Sequence, residues 1–392
     1  MKKIVSILGS TGSVGVTALS IIEKKKNFFS INLLTANKNF NLICKQINKY
    51  KPKFFIISDP IIYKKVKKKI RSKTKILNSF SSINLLSKND ITISAITGVA
   101  GLLPTISIIK KTKKLLIANK EAIICGWYLI KREALKFKTH LIPIDSEHYS
   151  IFKLLETHNL NDIKKIYITA SGGPFLKNKH HLKKKIKPKD ALKHPKWKMG
   201  KKITIDSSTL MNKILEHIEA QKLFNVNNNK IDILIHPESL VHAIIELKNG
   251  LTKFIYHDTS MIIPLANAIF NNNLDIQNFY KIKKSPKLNI QNLTFLKPDK
   301  KIFPTLKLKN RSNEYPSTSI IINASNEILV DQFLNKKIPF LAISRIIMSV
   351  LNDRNYKKYA IKMPYNLNQI INVDTWARNK TLEFTKKYEK VY

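Results

Sequence analysis

Cysteine is almost missing from this 392-residue chain, which has only Cys44 and Cys125. They stand too far apart for a CxxC pair or a zinc pattern and lie in apolar, helix-like sequence. A disulfide framework is therefore excluded, and both read as reduced core thiols. Long apolar runs are missing too. Nothing approaches the ~20 residues of a membrane span, so no membrane partner is expected. The opening Met1-Lys-Lys-Ile-Val-Ser-Ile-Leu-Gly9 is too short an apolar stretch for a signal peptide, runs into glycine, and reads as a first β-strand. These absences point to the cytoplasm. Acidic residues are scarce, with 26 Asp and Glu against 70 Lys and Arg, for a formal charge of +44. Arginine is scarcer still: Arg71, Arg132, Arg311, Arg345, Arg354 and Arg378. Without guanidinium forks, specific base reading is disfavoured. The lysines run along the whole chain beside abundant Ile and Asn, the pattern that A/T-rich codons produce. Such a lysine-covered surface attracts anionic substrates and binds nucleic acid without specificity.

What is present is an ordinary globular core, 43% hydrophobic, in a chain long enough for two or three domains. Residues 1–145 alternate strand-like and helix-like segments, with strands expected at 4–8, 31–35, 54–58, 91–95, 115–118 and 141–144. Short apolar runs of this kind form a parallel sheet covered by helices. The lysine-rich 64–75 stretch reads as a solvated helix end and loop. Residues 146–270 read as a central α+β domain with strands at 166–169, 203–205 and 231–235, then a hairpin of 241–247 and 251–257 turning at Lys248-Asn249-Gly250. Residues 271–300 read as a connector. Helical patterns such as 320–334 and 340–351 dominate 301–392. The expected class is α/β: an N-terminal Rossmann-like parallel sheet, a central α+β catalytic domain and a C-terminal helical domain.

The chemistry gathers at strand ends. Gly9-Ser-Thr-Gly-Ser-Val-Gly15 follows the first strand and opens a helix, the place for a dinucleotide pyrophosphate. After the second strand, Ala36-Asn37-Lys38-Asn39 offers lysine and no carboxylate, which favours NADP(H) over NAD. Ile96–Gly101, Asn119-Lys120-Glu121 and Asp145-Ser146-Glu147 close three further strands. If their segment is extended, Asp145 and Glu147 point to one side and can share a hard divalent cation. Glu216 supplies a third oxygen ligand.

Ile203–Glu216 reads as strand, tight turn and helix, with Ser207, Ser208 and Thr209 crowding the helix N-terminus as a phosphate site. Asn212 and Glu216 then share one helical face with Lys213 beside them, while Leu210, Met211, Ile214, Leu215 and Ile218 anchor the other. Ser171-Gly-Gly-Pro174 is a second anion nest. His194-Pro-Lys-Trp197-Lys-Met-Gly200 reads as a closing loop. His236, His242 and His257 read as structural.

Together these segments resemble the 1-deoxy-D-xylulose 5-phosphate reductoisomerase family. The resemblance rests on Gly9–Gly15, Ala118–Glu121, Pro143–His148, Ser171–Phe175, His194–Gly200, Asp206–Lys213 with Glu216, Ile235–Ser239 and Asn323–Glu327, in the family's order. It implies NADPH- and divalent-metal-dependent (Mg²⁺ or Mn²⁺, with Co²⁺ a further candidate) conversion of 1-deoxy-D-xylulose 5-phosphate to 2-C-methyl-D-erythritol 4-phosphate. This is a step of the non-mevalonate isoprenoid pathway, carried out by a cytoplasmic bacterial homodimer. It implies that Asp145, Glu147 and Glu216 hold the metal. Ser171, Ser207, Asn212 and Lys213 would bind the phosphate. Lys120, Ser146 and Glu147 would contact the reacting end, with Glu147 or a metal-bound water moving the proton. Lys120, Glu147 and His194 are the catalytic candidates, and His194 and Trp197 belong to the loop over the substrate. Thr11, Gly12, Ser13, Val14, Asn37, Lys38, Asn39, Asn119, Glu121 and Gly200 would touch NADPH, Asn37 standing where the family commonly has glycine. Two other readings compete: another NADP-dependent oxidoreductase of a small phosphorylated aldehyde, and a basic nucleic-acid-binding protein.

Overall fold

The computed structural model describes residues 1–176, 186–197, 199–276 and 293–389. Much of the expected 271–300 connector lies outside the described residues. The described chain falls into two units: Met1–Ile123, Trp127–Tyr149 and the segment from Ser260 form one, and Ile124–Gly126, Ser150–Thr259 and the chain from 293 onward form the other.

The first unit is a parallel sheet. Its strands are β1 (Lys3–Leu8), β2 (Phe29–Ala36), β3 (Phe54–Ile57), β4 (Lys75–Leu77), β5 (Asn89–Ser94), β6 (Thr112–Ile117) and β7 (His140–Pro143). Among the described residues they lie in the order β4-β3-β2-β1-β5-β6-β7. Chain order reverses at β1, which pairs β2 on one side and β5 on the other. The crevice above that reversal is where such sheets take their ligands. Val5, Ile7, Leu34, Phe55, Ile57 and Ile93 are buried in one core. Crossover helices α1 (Ser13–Lys24), α2 (Phe40–Tyr50), α3 (Pro60–Lys69), α4 (Leu102–Ile109) and α5 (Lys120–Phe137) alternate with the strands. Strand β4 was not expected. It is three residues long and only partly buried, so it carries almost no apolar run, as suits a blunted edge strand. Helix α6 (Ser146–Leu155) follows β7.

The second unit holds a mixed sheet of β8 (Ile163–Ala170), β9 (Ile231–Ile235), β10 (Val241–Leu247) and β11 (Thr252–Tyr256), ordered β11-β10-β8-β9. Strands β8 and β9 are parallel, while β10 runs antiparallel to both β8 and β11. The Asn-Gly hairpin turn closes with Gly250 N–H donating to Leu247 O at 3.1 Å. Helices Thr318–Leu334, Ala342–Leu351 and Leu367–Glu389 follow, in line with the helical patterns of the C-terminal sequence.

One expected strand is wrong. Residues 203–205 lie inside helix α8 (Lys201–Ser208), after the short helix α7 (Pro188–Ala191). Ile-Thr-Ile has the β-branched composition of a strand, but local preference yields to packing. Ile205 is wholly buried, and Asp206 is tied to Lys202 one turn back at 3.2 Å. Leu210 then takes a left-handed conformation, φ 59°, and α9 (Met211–Phe224) begins.

Candidate active site

In the first unit the glycine turn after β1 is held by backbone and buried side chains together: Gly9 N–H donates to Thr35 Oγ1 (2.9 Å), Ser10 Oγ donates to Gln46 Oε1 (2.7 Å), and Gln46 Nε2 donates to Ser10 O (2.8 Å). Ser10 N–H donates to Thr35 O (2.8 Å), and Gly12 N–H to Gly9 O (3.1 Å). Helix α1 starts close beneath: a Cβ on Gly15 would sit 2.3 Å from the Gly9 carbonyl oxygen, so no larger residue fits there. No side chain caps α1. Gly12 and Ser13 are exposed, Thr11 and Val14 half-buried. An uncapped helix start beside an open turn suits a pyrophosphate. Asn37, Lys38 and Asn39 lie exposed just past β2, and Asn39 also caps α2 by accepting from Leu42 N–H (3.2 Å).

Asn119 faces inward. Its Oδ1 caps α5 by accepting from Ala122 N–H (3.0 Å), and its Nδ2 donates to Gly98 O (3.0 Å). It therefore fixes the turn after β5. Glu121 is buried in the first turn of α5.

The acidic end of β7 differs from expectation. The segment is not extended, because α6 starts at Ser146. Asp145 stands before the helix and accepts from Glu147 N–H (3.3 Å), a capping contact. A helix start, rather than strand alternation, brings the two carboxylates together. Ser146 donates to Glu147 Oε2 (2.6 Å). The buried Lys120 ammonium lies 3.1 Å from Asp145 Oδ2, and His148 Nδ1 is 3.5 Å from Oδ1. Burial works against the Asp145 charge, but Lys120 and His148 outweigh it and hold the carboxyl well below its usual range. His148 had no expected role, although its i,i+3 spacing from Asp145 places it over the same helix start.

The second unit supplies a different set of groups. Ser171 ends β8, and its Oγ lies 3.0 Å from His194 Nε2 and accepts from Gly173 N–H at 3.2 Å. His194 Nδ1 accepts from Trp197 N–H (2.8 Å) and Lys196 N–H (3.2 Å). The network therefore assigns the neutral tautomer with its proton on Nε2, donating to Ser171. Burial and the Lys213 charge both lower the His194 pKa, consistent with the neutral ring. Ser171 Oγ already accepts two hydrogen bonds, so its own proton is left to donate, as an anion requires. Trp197 meets the His242 ring edge-on at 6.3 Å, and His242 stacks on His257 at 3.9 Å.

The Ser207–Thr209 cluster lies at the junction of two helices, with Thr209 Oγ1 accepting from Met211 N–H at the start of α9 (3.2 Å). It closes α8. Ser208 donates to Ile205 O (2.7 Å), while Thr209 bonds Ile205 O and Asp206 O. Two of the three hydroxyls expected to face a phosphate are thus spent on helix carbonyls, and Ser207 is the half-buried one. One turn into α9, the expected i,i+4 face is present. Buried Glu216 accepts from Asn212 Nδ2 and pairs with Lys213 Nζ at 2.6 Å. Leu210, Met211, Ile214, Leu215 and Ile218 are buried as anticipated. Gly200 precedes α8 with nothing within 4 Å of where a Cβ would stand.

The chain matches three family models: 1-deoxy-D-xylulose 5-phosphate reductoisomerase over residues 5–126, the C-terminal domain of the same enzyme over 141–224, and the DXP reductoisomerase C-terminal domain over 258–380. It is 44% identical over 386 residues to the 1-deoxy-D-xylulose 5-phosphate reductoisomerase of Pelagibacter ubique (strain HTCC1062), covering 97% of this chain and 98% of the relative. To that of Wolbachia pipientis subsp. Culex pipiens (strain wPip) it is 38% identical, covering 98% of each. Among solved structures it resembles a DOX-P reductoisomerase in complex with NADPH, fosmidomycin and magnesium (TM-score 0.88, 30% identity, 98% of each chain). It also resembles the Zymomonas mobilis enzyme in complex with NADPH (TM-score 0.85, 31% identity, 98% of this chain and 99% of that one). Strand order, strand-end chemistry and these matches agree: the chain belongs to the 1-deoxy-D-xylulose 5-phosphate reductoisomerase family.

Proposed function

We infer that this chain converts 1-deoxy-D-xylulose 5-phosphate to 2-C-methyl-D-erythritol 4-phosphate, using NADPH and a divalent cation. The observation that carries the reading is near-full-length similarity to this family, supported by the glycine turn after β1 and the carboxylates that follow β7. Thr11, Gly12, Ser13 and Val14 line the uncapped start of α1 and are proposed to take the pyrophosphate. Lys38, with Asn37 and Asn39, is proposed to meet the 2′-phosphate. Asn119, Glu121 and Gly200 complete the proposed NADPH contacts, Asn119 by shaping its turn.

Asp145, Glu147 and Glu216 are proposed to hold the cation. The donor set fits: all three are carboxylates, as a hard divalent ion prefers. Asp145 stays ionised, and buried Glu216 pairs with Lys213. A bound cation supplies Lewis acidity toward substrate oxygens. With a cation on Glu216, Lys213 would be available, with Ser171, Ser207 and Asn212, for the substrate phosphate. Lys120, Ser146 and Glu147 are proposed to orient the reacting end, with Glu147 moving a proton. His194 orients Ser171 and anchors the backbone of Trp197, whose indole is proposed to help exclude water.

NADPH oxidation should require both the deoxy sugar phosphate and Mg²⁺ or Mn²⁺, stop with EDTA and return on adding metal. A folded protein that stays silent under those conditions ends the assignment. We further propose a cytoplasmic homodimer. Among the described residues no helix is long and apolar enough to cross a membrane. Strand β11 is a sheet edge carrying exposed Phe254, next to exposed Leu251. Light scattering should give twice the chain mass for the wild type, and the monomer mass for Phe254→Lys if that edge pairs two copies.

A further inference from the structure

The geometry points to Asp206 and Asn326 as a positioning pair that sets the phosphate-binding end of helix α8; this rests on Ser207 meeting the substrate phosphate. Asp206 is 1% exposed and Asn326 fully buried. Asn326, on the helix Thr318–Leu334, donates from Nδ2 to Asp206 Oδ1 at 2.8 Å. Lys202 approaches Oδ2 at 3.2 Å from one turn back on α8.

As a source of attraction this carboxylate has the wrong sign. It lies near the negative end of a helix and beside a serine that is to receive an anion, both unfavourable placements. A buried charge persists only where its bonds are worth more than its desolvation. Its service is therefore directional. Tied by Asn326 to the helix Thr318–Leu334, Asp206 fixes the rotation of the last turn of α8 and with it the direction of Ser207. The carbonyl of the next turn is also held, by Thr305 Oγ1 donating to Thr209 O.

The same turn reaches the other anion nest. A Cβ on Gly173 would sit 3.1 Å from Ser207 O and 3.2 Å from Ser208 Cα. The loop carrying Ser171 therefore lies directly on the end of α8, and a small rotation there moves both hydroxyls. The buried Asp206–Asn326 contact couples the C-terminal helical segment to substrate affinity without touching substrate.

The test is steady-state kinetics of the full-length enzyme with metal. Asp206→Asn keeps an acceptor for Asn326 but weakens that bond and turns an amide donor toward the Lys202 ammonium, and is expected to raise KM for the deoxy sugar phosphate about tenfold. It should leave kcat within about threefold and KM for NADPH unchanged, because neither reacting group moves. The exchange Asp206→Asn with Asn326→Asp restores an amide–carboxylate contact and should recover most of the loss, which general destabilisation would not do. Ser207→Ala is the control for the underlying reading. If it leaves KM unchanged, Ser207 is not a phosphate ligand and that reading falls first. If it raises KM while Asp206→Asn does not, the positioning role is overturned. A parallel fall in kcat, NADPH affinity and Tm, with no rescue by the exchange, overturns it equally.

Discussion

The two units assemble their proposed anion sites from differently arranged stretches of sequence. In the first, the turn from Gly9 to Gly15 is one contiguous stretch, tied at Ser10 to β2 and to buried Gln46, with α1 pressed against it at Gly15. In the second, Ser171 ends a strand and Ser207 ends a helix. The two are joined by the contact of Gly173 with α8 and steadied by buried side chains. Damage to the first should stay local to nucleotide binding. Damage to the second should spread along a chain of side chains to places distant in sequence.

The sharpest probe of that contrast is Glu216→Gln. Gln keeps an acceptor for Lys213 but removes the charge proposed to bind the cation, so kcat should fall roughly a hundred- to a thousandfold. Circular dichroism should remain native. Unchanged turnover would remove Glu216 from the ion's shell. Next come two glycines. Gly15→Ala forces a methyl against the Gly9 carbonyl and should cost about 1–3 kcal/mol, read as a lower Tm and a raised KM for NADPH. Gly173→Ala places a side chain at φ 63° against Ser207 and should raise KM for the sugar phosphate instead. If each variant disturbed both constants equally, the division of labour would be wrong.

Lys38→Ala should raise KM for NADPH about tenfold while leaving NADH use almost unaltered, since only the former carries the extra phosphate. A uniform loss for both coenzymes would place Lys38 elsewhere. The smallest effect concerns pH. His194 is held neutral by burial and by Lys213, below its ordinary 6.5. Protonation would put a hydrogen on Nδ1, where two backbone N–H groups now donate. The loop anchor is therefore complete above 6.5 and is lost as pH falls through the lowered value. The acid limb of kcat/KM should have a midpoint below 6.5 and flatten in His194→Gln.

The glycine turn after β1 and most of the parallel sheet were legible because they are local: an apolar run, a glycine turn and an amphipathic helix follow one another along the chain. The face carrying Asn212 and Glu216 was legible for the same reason, since i and i+4 meet on any helix. Two local inferences failed where distant packing decides. Ile203–Ile205 has strand composition, yet it is helical, with Ile205 buried and Asp206 held by Asn326 from far along the chain. Asp145 and Glu147 were read as alternating along a strand, whereas a helix start brings them together. Both failures lie at the proposed site. The Asp206–Asn326 bond, spanning 120 positions, leaves no periodic mark in sequence.

Leu210 joins α8 to α9 in a backbone state that leucine rarely adopts, with its side chain 1% exposed. Glycine would relax that joint but empty the interior around it. A β-branched residue would keep some of the bulk and fit the left-handed geometry still worse. Drift at this residue is thus confined from two directions, so a mutational scan of the whole chain should find 210 intolerant, although its side chain is a plain hydrocarbon.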